Sequence, residues 1–173
     1  MNHPFKGDVF ALNMFTPLRR FYIMAEDKTF KSKFLSFFLK IYAIYPINKD
    51  NPLEAVERSA DVVRRGDILA VPSEGCISRN GEVGPFRTGT IRIAMAAGGE
   101  VPIVPMFIEK RKNRLHRQRI AIGKPVFLKD LVPPGADITN LTSTQVYGAT
   151  VMLRDIVCEL NDKNVKQYKE HKK

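Results

Sequence analysis

The alternation of strand-like and helix-like segments constrains the fold of this 173-residue chain more than any other feature. Four runs of apolar, β-branched and aromatic residues predict strands: residues 20–24, 67–72, 101–108 and 119–127. Apolar residues at helical spacing predict helices in five segments: residues 9–15, 29–42, 52–65, 90–97 and 142–168. Helices that alternate with strands in this way predict an α/β layered domain.

The chain also carries a strong excess of positive charge. Its 28 Lys and Arg residues outnumber 18 Asp and Glu residues, which gives a net charge of +10. Such a surface attracts polyanions, whether nucleic acid, anionic lipid or a phosphorylated substrate. Because no nucleic-acid-binding motif accompanies the charge, we expect no nucleic-acid partner.

Cysteine content and hydropathy exclude further classes of protein. The two cysteines, Cys76 and Cys158, form no CxxC pair, which argues against a disulfide scaffold or a zinc knuckle and favours a reducing compartment. The most apolar stretch, residues 34–47, is interrupted by Lys40. It falls short of the ~20 residues that a membrane-spanning helix needs.

A histidine and an aspartate at the start of the chain form a candidate catalytic pair. His3 and Asp8 are separated by four residues in the run Asn-His-Pro-Phe-Lys-Gly-Asp. A histidine can take a proton from a hydroxyl as that hydroxyl attacks a thioester, and a carboxylate on its other ring nitrogen fixes the tautomer. A helix cap is the structural alternative for Asp8, so the catalytic interpretation depends on motifs further along the chain.

A long loop between a predicted strand and a predicted helix is the second candidate. Residues 73–89 are dense in glycine, proline and charge, and they include Arg79 and Arg87. Loops in this position place substrate groups near strand ends and helix N-termini, where backbone amides favour anions. The two arginines supply charged donors for a phosphate group.

Four sequence blocks occur in a familiar order: block 1 (residues 2–8), block 2 (residues 45–49, Tyr-Pro-Ile-Asn-Lys), block 3 (residues 72–89, from Pro-Ser-Glu-Gly to Gly-Pro-Phe-Arg-Thr-Gly) and block 4 (residues 101–105, Val-Pro-Ile-Val-Pro). Together they resemble the 1-acyl-glycerol-3-phosphate acyltransferase family, the lysophospholipid acyltransferases. The resemblance covers residues 2 to about 127. It implies a single acyltransferase domain over residues 1–173, with residues 142–173 as a C-terminal helix and basic tail.

The resemblance implies a fold, a reaction and roles for particular residues. The fold is a glycerol-3-phosphate acyltransferase-like α/β domain with a mixed sheet flanked by helices. The reaction moves a fatty acyl group from acyl-carrier protein or acyl-CoA to the hydroxyl of a lysophospholipid in phospholipid biosynthesis. His3 is the general base, Asp8 orients it, Glu74 and Gly75 bind the acceptor, and Pro105 shapes the site. No metal, no other cofactor and no covalent acyl-enzyme are expected.

The chain departs from the family pattern at three places. Block 2 ends in Asn48-Lys49 where the family usually has Asp-Arg, and Ile77 occupies the position of an arginine expected to hold the acceptor phosphate. We therefore expect Lys49, Arg79 or Arg87 to bind that phosphate, with Lys49 lacking the bidentate fork of arginine. Family members also carry a helical segment and a strand before the histidine, so we expect a chain that lacks this N-terminal segment.

The expected location rests on the same interpretation: a cytoplasmic protein bound peripherally to the anionic inner face of the cell membrane. Two alternatives stay open, namely an acyltransferase for another lysolipid acceptor and a non-catalytic basic membrane-binding domain. A third hypothesis makes Cys76 the nucleophile of a thioesterase or another hydrolase. We favour the simpler interpretation that Cys76 fills the threonine position of block 3.

Overall fold

The computed structural model describes residues 21–26, 30, 44–48, 50–75, 83–109 and 119–170. The elements occur in the order β1 (Phe21–Glu26), β2 (Ile44–Ile47), α1 (Pro52–Arg64), β3 (Ile68–Ala70), α2 (Gly89–Ala96), β4 (Met106–Ile108), β5 (Ile120–Ile122), a 3-10 turn (Leu128–Asp130) and α3 (Ser143–Glu170). The α/β class predicted from the alternating pattern is confirmed.

Strands β1, β2 and β3 form a parallel sheet in the order β2-β1-β3. The central strand places Ile23 opposite both Ile44 and Ala70, and these three side chains form a small buried core. Because all three strands run in the same direction, their carboxyl ends lie at one edge of the sheet. The end of block 2 and the beginning of block 3 lie at that edge.

Strands β4 and β5 form a separate antiparallel pair, which extends only through an isolated bridge between Ile103 and Val126. Within the described residues the strands therefore form two sheets, and the prediction of one mixed sheet was wrong. The predicted strands at 101–108 and 119–127 are also much shorter than expected. Proline explains part of this, because Pro102, Pro105 and Pro125 have no N–H group to donate to a strand ladder.

Helix α1 follows the local signals of its sequence. Asn51 caps it by accepting a hydrogen bond from the Glu54 backbone N–H, and Pro52 occupies the first turn, where no intrahelical partner is lost. The helix ends at Arg64, and Gly66 comes next but one with a φ of +81°, a conformation that glycine adopts without steric cost. The predicted helix at 52–65 is thus confirmed to within one residue.

Helix α3 supplies one face of the main core. A reciprocal pair of bonds starts it, since Thr142 and Gln145 each accept from the other's backbone N–H. Val146, Ala149 and Leu153 recur at helical spacing and are buried. They pack against α2 and the residues around the 3-10 turn in a cluster whose other buried members are Ile91, Ala94, Leu128, Leu131 and Leu141.

Some sequence predictions fall outside the described residues, including the helices at 9–15 and, apart from Phe30, at 29–42. In the part of the chain that the structure describes, no helix has the length and apolar character required to cross a membrane.

Candidate active site

Block 2 lies at the carboxyl edge of the parallel sheet and is anchored by a tyrosine. The Tyr45 hydroxyl shares a 2.9 Å hydrogen bond with Ser59 Oγ on α1. Burial raises the pKa of Tyr45 above its usual value, so the phenol stays neutral and serves as an anchor. Directly after β2, the Asp50 backbone N–H donates to Asn48 Oδ1 at 2.8 Å, which turns the chain toward α1.

Block 3 begins at the same edge, two strands away, which corresponds to about 10 Å at ordinary strand spacing. Ser73 is buried, and its Oγ lies 3.0 Å from Thr90 Oγ1 at the start of α2. The Arg87 backbone N–H donates to the Ser73 carbonyl at 2.7 Å, and the Gly75 N–H donates to the Pro72 carbonyl at 3.1 Å. These bonds close block 3 on itself, although more than a dozen positions of sequence separate Ser73 from Arg87.

Glu74 places a carboxylate inside this closed loop. Its side chain is buried, with 4% of the residue's surface exposed. The carboxylate lies against Gly84, where a Cβ added to the glycine would be 3.4 Å from Glu74 Oε2. Glu74 therefore faces the interior of block 3, and its place in the fold suits a carboxylate that organises the loop.

Arg87 lies across the backbone of Gly75. Gly75 has a φ of +67°, and a Cβ built on it would stand 2.6 Å from both Cδ and Nε of Arg87. Only a glycine permits this approach, because any side chain would occupy the same space as the arginine stem. The close contact determines where the Arg87 side chain runs, while the residue as a whole remains solvent-exposed.

Helix α3 closes the other side of the loop with Arg154 and Cys158. Arg154 Nε donates to the Gly84 carbonyl at 3.1 Å, and its Nη2 donates to the Val83 carbonyl at 3.4 Å. Burial raises the pKa of the Cys158 thiol; nearby Arg154 opposes this, while the carboxylates of Asp155, Asp162 and Glu74 add to it. A raised pKa leaves little thiolate at neutral pH, so Cys158 is not an activated nucleophile.

Pro105 of block 4 is fully buried. Its carbonyl accepts a 2.8 Å hydrogen bond from the Gly123 N–H. It lines an apolar cavity of about 590 Å³ that also reaches Ser73 and Thr90. The cavity runs between β3 and residues 101–106, and Leu153 and Val157 of α3 complete its wall. Block 4 thus meets block 3 across an apolar space.

The structure brings together four of the predicted site residues. Glu74, Gly75 and Arg87 form one group, and Pro105 reaches Ser73, the neighbour of Glu74, through the shared cavity. The remaining predicted residues lie outside the described part of the chain: His3, Asp8, Lys49 and Arg79, together with the alternative nucleophile Cys76.

Sequence reasoning missed three residues of this site. Ser73 and Thr90 were inside or beside block 3, and two hydroxyls at a strand end and a helix start were a usable signal. Arg154 gave no such signal, because its bonds reach carbonyls 70 and 71 residues earlier in the chain. Across the described residues, no group of three or more His, Cys, Asp or Glu side chains could hold a metal ion.

Comparison with known proteins agrees with this arrangement. The family model described as Acyltransferase matches residues 1–109, well over half of the chain and all four blocks. The chain belongs to the Acyltransferase family.

Three curated relatives have the same name. The chain is 24% identical over 163 residues to the 1-acyl-sn-glycerol-3-phosphate acyltransferase of Bacillus subtilis (strain 168), covering 90% of this chain and 76% of that protein. It is 31% identical over 116 residues to the protein of the same name from Escherichia coli (strain K12), covering 64% of this chain and 45% of that protein. A third, from Salmonella typhimurium, is 32% identical over 105 residues, covering 58% and 40%.

The chain therefore spans three quarters of the Bacillus protein but less than half of the two enterobacterial ones. No solved structure gives a significant match. As a member of the Acyltransferase family, the chain is assigned to a family of enzymes, and the closed loop of block 3 lies inside the matched residues.

Proposed function

We propose that this chain transfers a fatty acyl group from a thioester donor to the free hydroxyl of a lysophospholipid, with 1-acyl-glycerol-3-phosphate as the acceptor. One observation carries the proposal: Glu74, Gly75 and Arg87 meet at the carboxyl edge of the parallel sheet, in a chain whose relatives are named for this acceptor. Ligands of open α/β sheets bind at that edge.

The chemistry of the proposed reaction is assigned to His3 and Asp8. His3 removes the proton from the acceptor hydroxyl as its oxygen attacks the thioester carbonyl, and the same proton can then pass to the leaving sulfur. Asp8 holds the imidazole in the tautomer that accepts a proton, and it stabilises the imidazolium that forms. The acyl group moves directly from donor to acceptor, so the proposal needs acyl-carrier protein or acyl-CoA as a co-substrate and no further cofactor.

Arg87 is the described residue best suited to hold the acceptor phosphate. The residue is exposed to solvent at the substrate edge, and its stem is fixed by the contact with Gly75. A guanidinium can bind two phosphate oxygens at once. In the sequence, Lys49 directly follows Asn48 after β2 and Arg79 belongs to block 3, so we assign both as further contacts.

The apolar cavity beside Pro105 suits the acyl chain of a substrate. Its volume of about 590 Å³ falls inside the ~300–1,000 Å³ typical of sites for small ligands. Most of its lining side chains are aliphatic, and its wall includes the hydroxyl-bearing residues Ser73 and Thr90 at the block 3 end. An acyl chain in this space would have its polar end next to the acceptor-binding loop.

The net charge of +10 supports a peripheral position on an anionic membrane, where the lysolipid acceptor resides. We propose the inner face of the cell membrane as this location, because the donors are thioesters of the cytoplasm. Phospholipid biosynthesis is the pathway class that such a reaction would serve.

The test of phosphate binding compares acceptor KM in three single variants, Lys49→Ala, Arg79→Ala and Arg87→Ala. A charged hydrogen bond to phosphate contributes about 1.5–3 kcal/mol, so loss of one contact should raise the acceptor KM about 10-fold or more. The KM for the acyl donor should not change. Arg58→Ala is the control, because Arg58 is exposed on α1 and forms a long 3.7 Å ion pair with Glu54 on the same helix.

An acyltransferase for a different lysolipid acceptor is the second candidate, and the isoleucine at position 77 favours it. Ile77→Arg should improve use of 1-acyl-glycerol-3-phosphate if the site is built for that acceptor. If all three phosphate variants keep a normal acceptor KM, a zwitterionic or non-phosphate acceptor is the better assignment. Absence of transfer to a whole panel of lysolipids would instead favour a non-catalytic basic membrane-binding domain.

A further inference from the structure

Helix α3 lies outside the residues matched by the family model, yet one of its side chains bonds directly to block 3. Arg154 donates through Nε to the Gly84 carbonyl and through Nη2 to the Val83 carbonyl. Two neighbouring donors of one planar guanidinium thus hold two consecutive carbonyls. A lysine could not reproduce this arrangement, because its ammonium is a single point on a flexible stem.

The carbonyls held by Arg154 belong to the segment of block 3 that returns toward the sheet, which we call the return arm (residues 83–88). The arm touches the Ser73–Gly75 turn at three places: Gly84 lies against the Glu74 carboxylate, the Arg87 N–H bonds to Ser73, and the Arg87 side chain lies across Gly75. Arg154 bonds to the first two residues of the arm and so connects it to α3.

The surroundings of Arg154 stabilise the link between α3 and the return arm. Its side chain is 38% exposed, so its bonds to the carbonyls are partly shielded from water. Val83 is buried and packs with Phe107 and Val157, which fixes the start of the arm against α3 and β4. Asp155 Oδ1 lies 3.4 Å from Arg154 Nη1, and this pairing leaves Nε and Nη2 directed at the arm.

We propose that Arg154 is a positioning residue for acceptor binding: by holding the Val83 and Gly84 carbonyls, it fixes the return arm so that Arg87 meets the acceptor phosphate. This inference rests on the proposed function, since it assigns block 3 to the acceptor. Arg154 itself does not touch the substrate. Its loss should therefore weaken acceptor binding without altering use of the acyl donor.

The experiment compares Arg154→Gln and Arg154→Lys with Arg64→Gln in the 173-residue chain. Arg64 is a matched control because it also joins two elements through a carbonyl: its Nη2 donates to Ala96 at 2.6 Å, while it pairs with Glu57 and Asp61 on α1. Its bonds lie at the far end of α2, away from the start of that helix where block 3 ends. Acceptor KM is measured with oleoyl lysophosphatidic acid, donor KM with oleoyl-CoA, and amide hydrogen exchange over residues 83–88.

We expect Arg154→Gln to raise the acceptor KM about 10-fold, to leave the donor KM unchanged, and to speed exchange of the Arg87 amide. Arg154→Lys should change the acceptor KM and the exchange rate about as much as Arg154→Gln does. Lysine keeps the positive charge, but it lacks the planar pair of donors that holds both carbonyls. Arg64→Gln should lower the melting temperature by a similar amount and keep both KM values. If either Arg154 variant lowers the melting temperature but keeps the wild-type acceptor KM, Arg154 is only structural and the proposal is wrong.

The exchange measurement separates this proposal from the proposed function. Unchanged exchange over residues 83–88 in Arg154→Gln overturns the positioning role even if the wild-type chain is an active acyltransferase. A wild-type chain that transfers no acyl group to the lysolipid overturns the proposed function, and the assignment of Arg154 to acceptor binding fails with it. In that case, faster exchange in Arg154→Gln would show only that Arg154 stabilises the structure of the loop.

Discussion

Gly75 combines a left-handed backbone conformation with the close approach of a side chain. The φ of +67° is costly for residues with a Cβ, and the Arg87 stem occupies the position where that Cβ would stand. The two requirements have different consequences, since one concerns the stability of the turn and the other the direction of a charged side chain. They can be separated by substitution.

Gly75→Ala should both destabilise the protein and displace Arg87. The backbone conformation costs about 1–2 kcal/mol for a non-glycine residue. The new methyl group, 2.6 Å from Arg87 Cδ and Nε, forces the flexible arginine to leave its place. We expect the acceptor KM to rise about 10-fold, as for loss of one charged hydrogen bond. Steady-state kinetics and a thermal melt measure the two effects.

Gly66→Ala is the matched control for this prediction. Gly66 has a similar φ of +81° at the end of α1, but a Cβ there would meet no atom within 4 Å. The control should lose similar stability and keep its acceptor KM. Equal KM values in the two glycine variants would show that the contact with Arg87 has no role in acceptor binding.

The cysteines give a second prediction at this scale. Cys76→Thr should retain acyl transfer, because we interpret Cys76 as filling a threonine position and not as a nucleophile. The remaining thiol, Cys158, has a pKa raised mainly by burial, so the variant should resist alkylation at neutral pH and react faster as the pH rises. Mass spectrometry of the wild-type chain after incubation with the donor is the decisive check. An acyl adduct on Cys76 would favour the hydrolase hypothesis.

Among the elements, those with strong local signals were predicted well and those made by distant pairing were not. Helix α1 follows Asn51, Pro52 and Gly66, all of which act within a few residues. The strands predicted at 101–108 and 119–127 shortened to β4 and β5 with one isolated bridge between Ile103 and Val126, because strand length depends on a partner far along the chain. Apolar alternation shows that a segment can form a strand, but not how much of it finds a partner.

Block 4 depends on close packing between Pro105 and Gly123. A Cβ at Gly123 would stand 2.9 Å from Pro105 Cγ and 3.1 Å from Leu160 Cδ1. The proline ring cannot rotate away, so Gly123→Ala should overpack the contact with Pro105 and Leu160 and cost about 1–3 kcal/mol of stability. Chemical denaturation of the purified variant measures the change.

Gly148→Ala should have the opposite effect on stability. Gly148 lies within α3, is exposed, and offers open space for a Cβ. Alanine there should stabilise the helix by about 0.5–1 kcal/mol, because glycine loses more backbone entropy on folding. Equal stability of Gly123→Ala and Gly148→Ala would contradict the close packing of Pro105 against Gly123.

For the molecule as a whole, the parallel sheet explains why separate blocks can form one site. Block 3 was predicted to follow a strand, whereas β2 at block 2 was not predicted; parallel strands place their carboxyl ends together. The order β2-β1-β3 and the split into two sheets could not be predicted, because they depend on contacts between distant segments. The hydrogen bonds of Arg154 to block 3 could not be predicted for the same reason.

The positive charge of the whole chain predicts salt-dependent membrane binding. At net +10, the protein should bind vesicles that contain phosphatidylglycerol and bind poorly to pure phosphatidylcholine. Raising the salt from about 0.1 M to about 1 M shortens the screening length from ~10 Å to ~3 Å and should release it. Vesicle co-sedimentation measures this, and equal binding to neutral vesicles at both salt concentrations would exclude electrostatic attachment.

The activities of the wild-type chain and of His3→Ala test the proposed acyl transfer most directly. The assay follows a labelled acyl group from oleoyl-CoA or acyl-carrier protein to lysophosphatidic acid, with His116→Ala as a control for loss of a histidine elsewhere. Removal of a general base should lower turnover by at least ~10², while the melting temperature and both KM values change little. Turnover by His3→Ala close to that of the wild type would contradict the assignment of His3 as the base and, with it, the proposed mechanism.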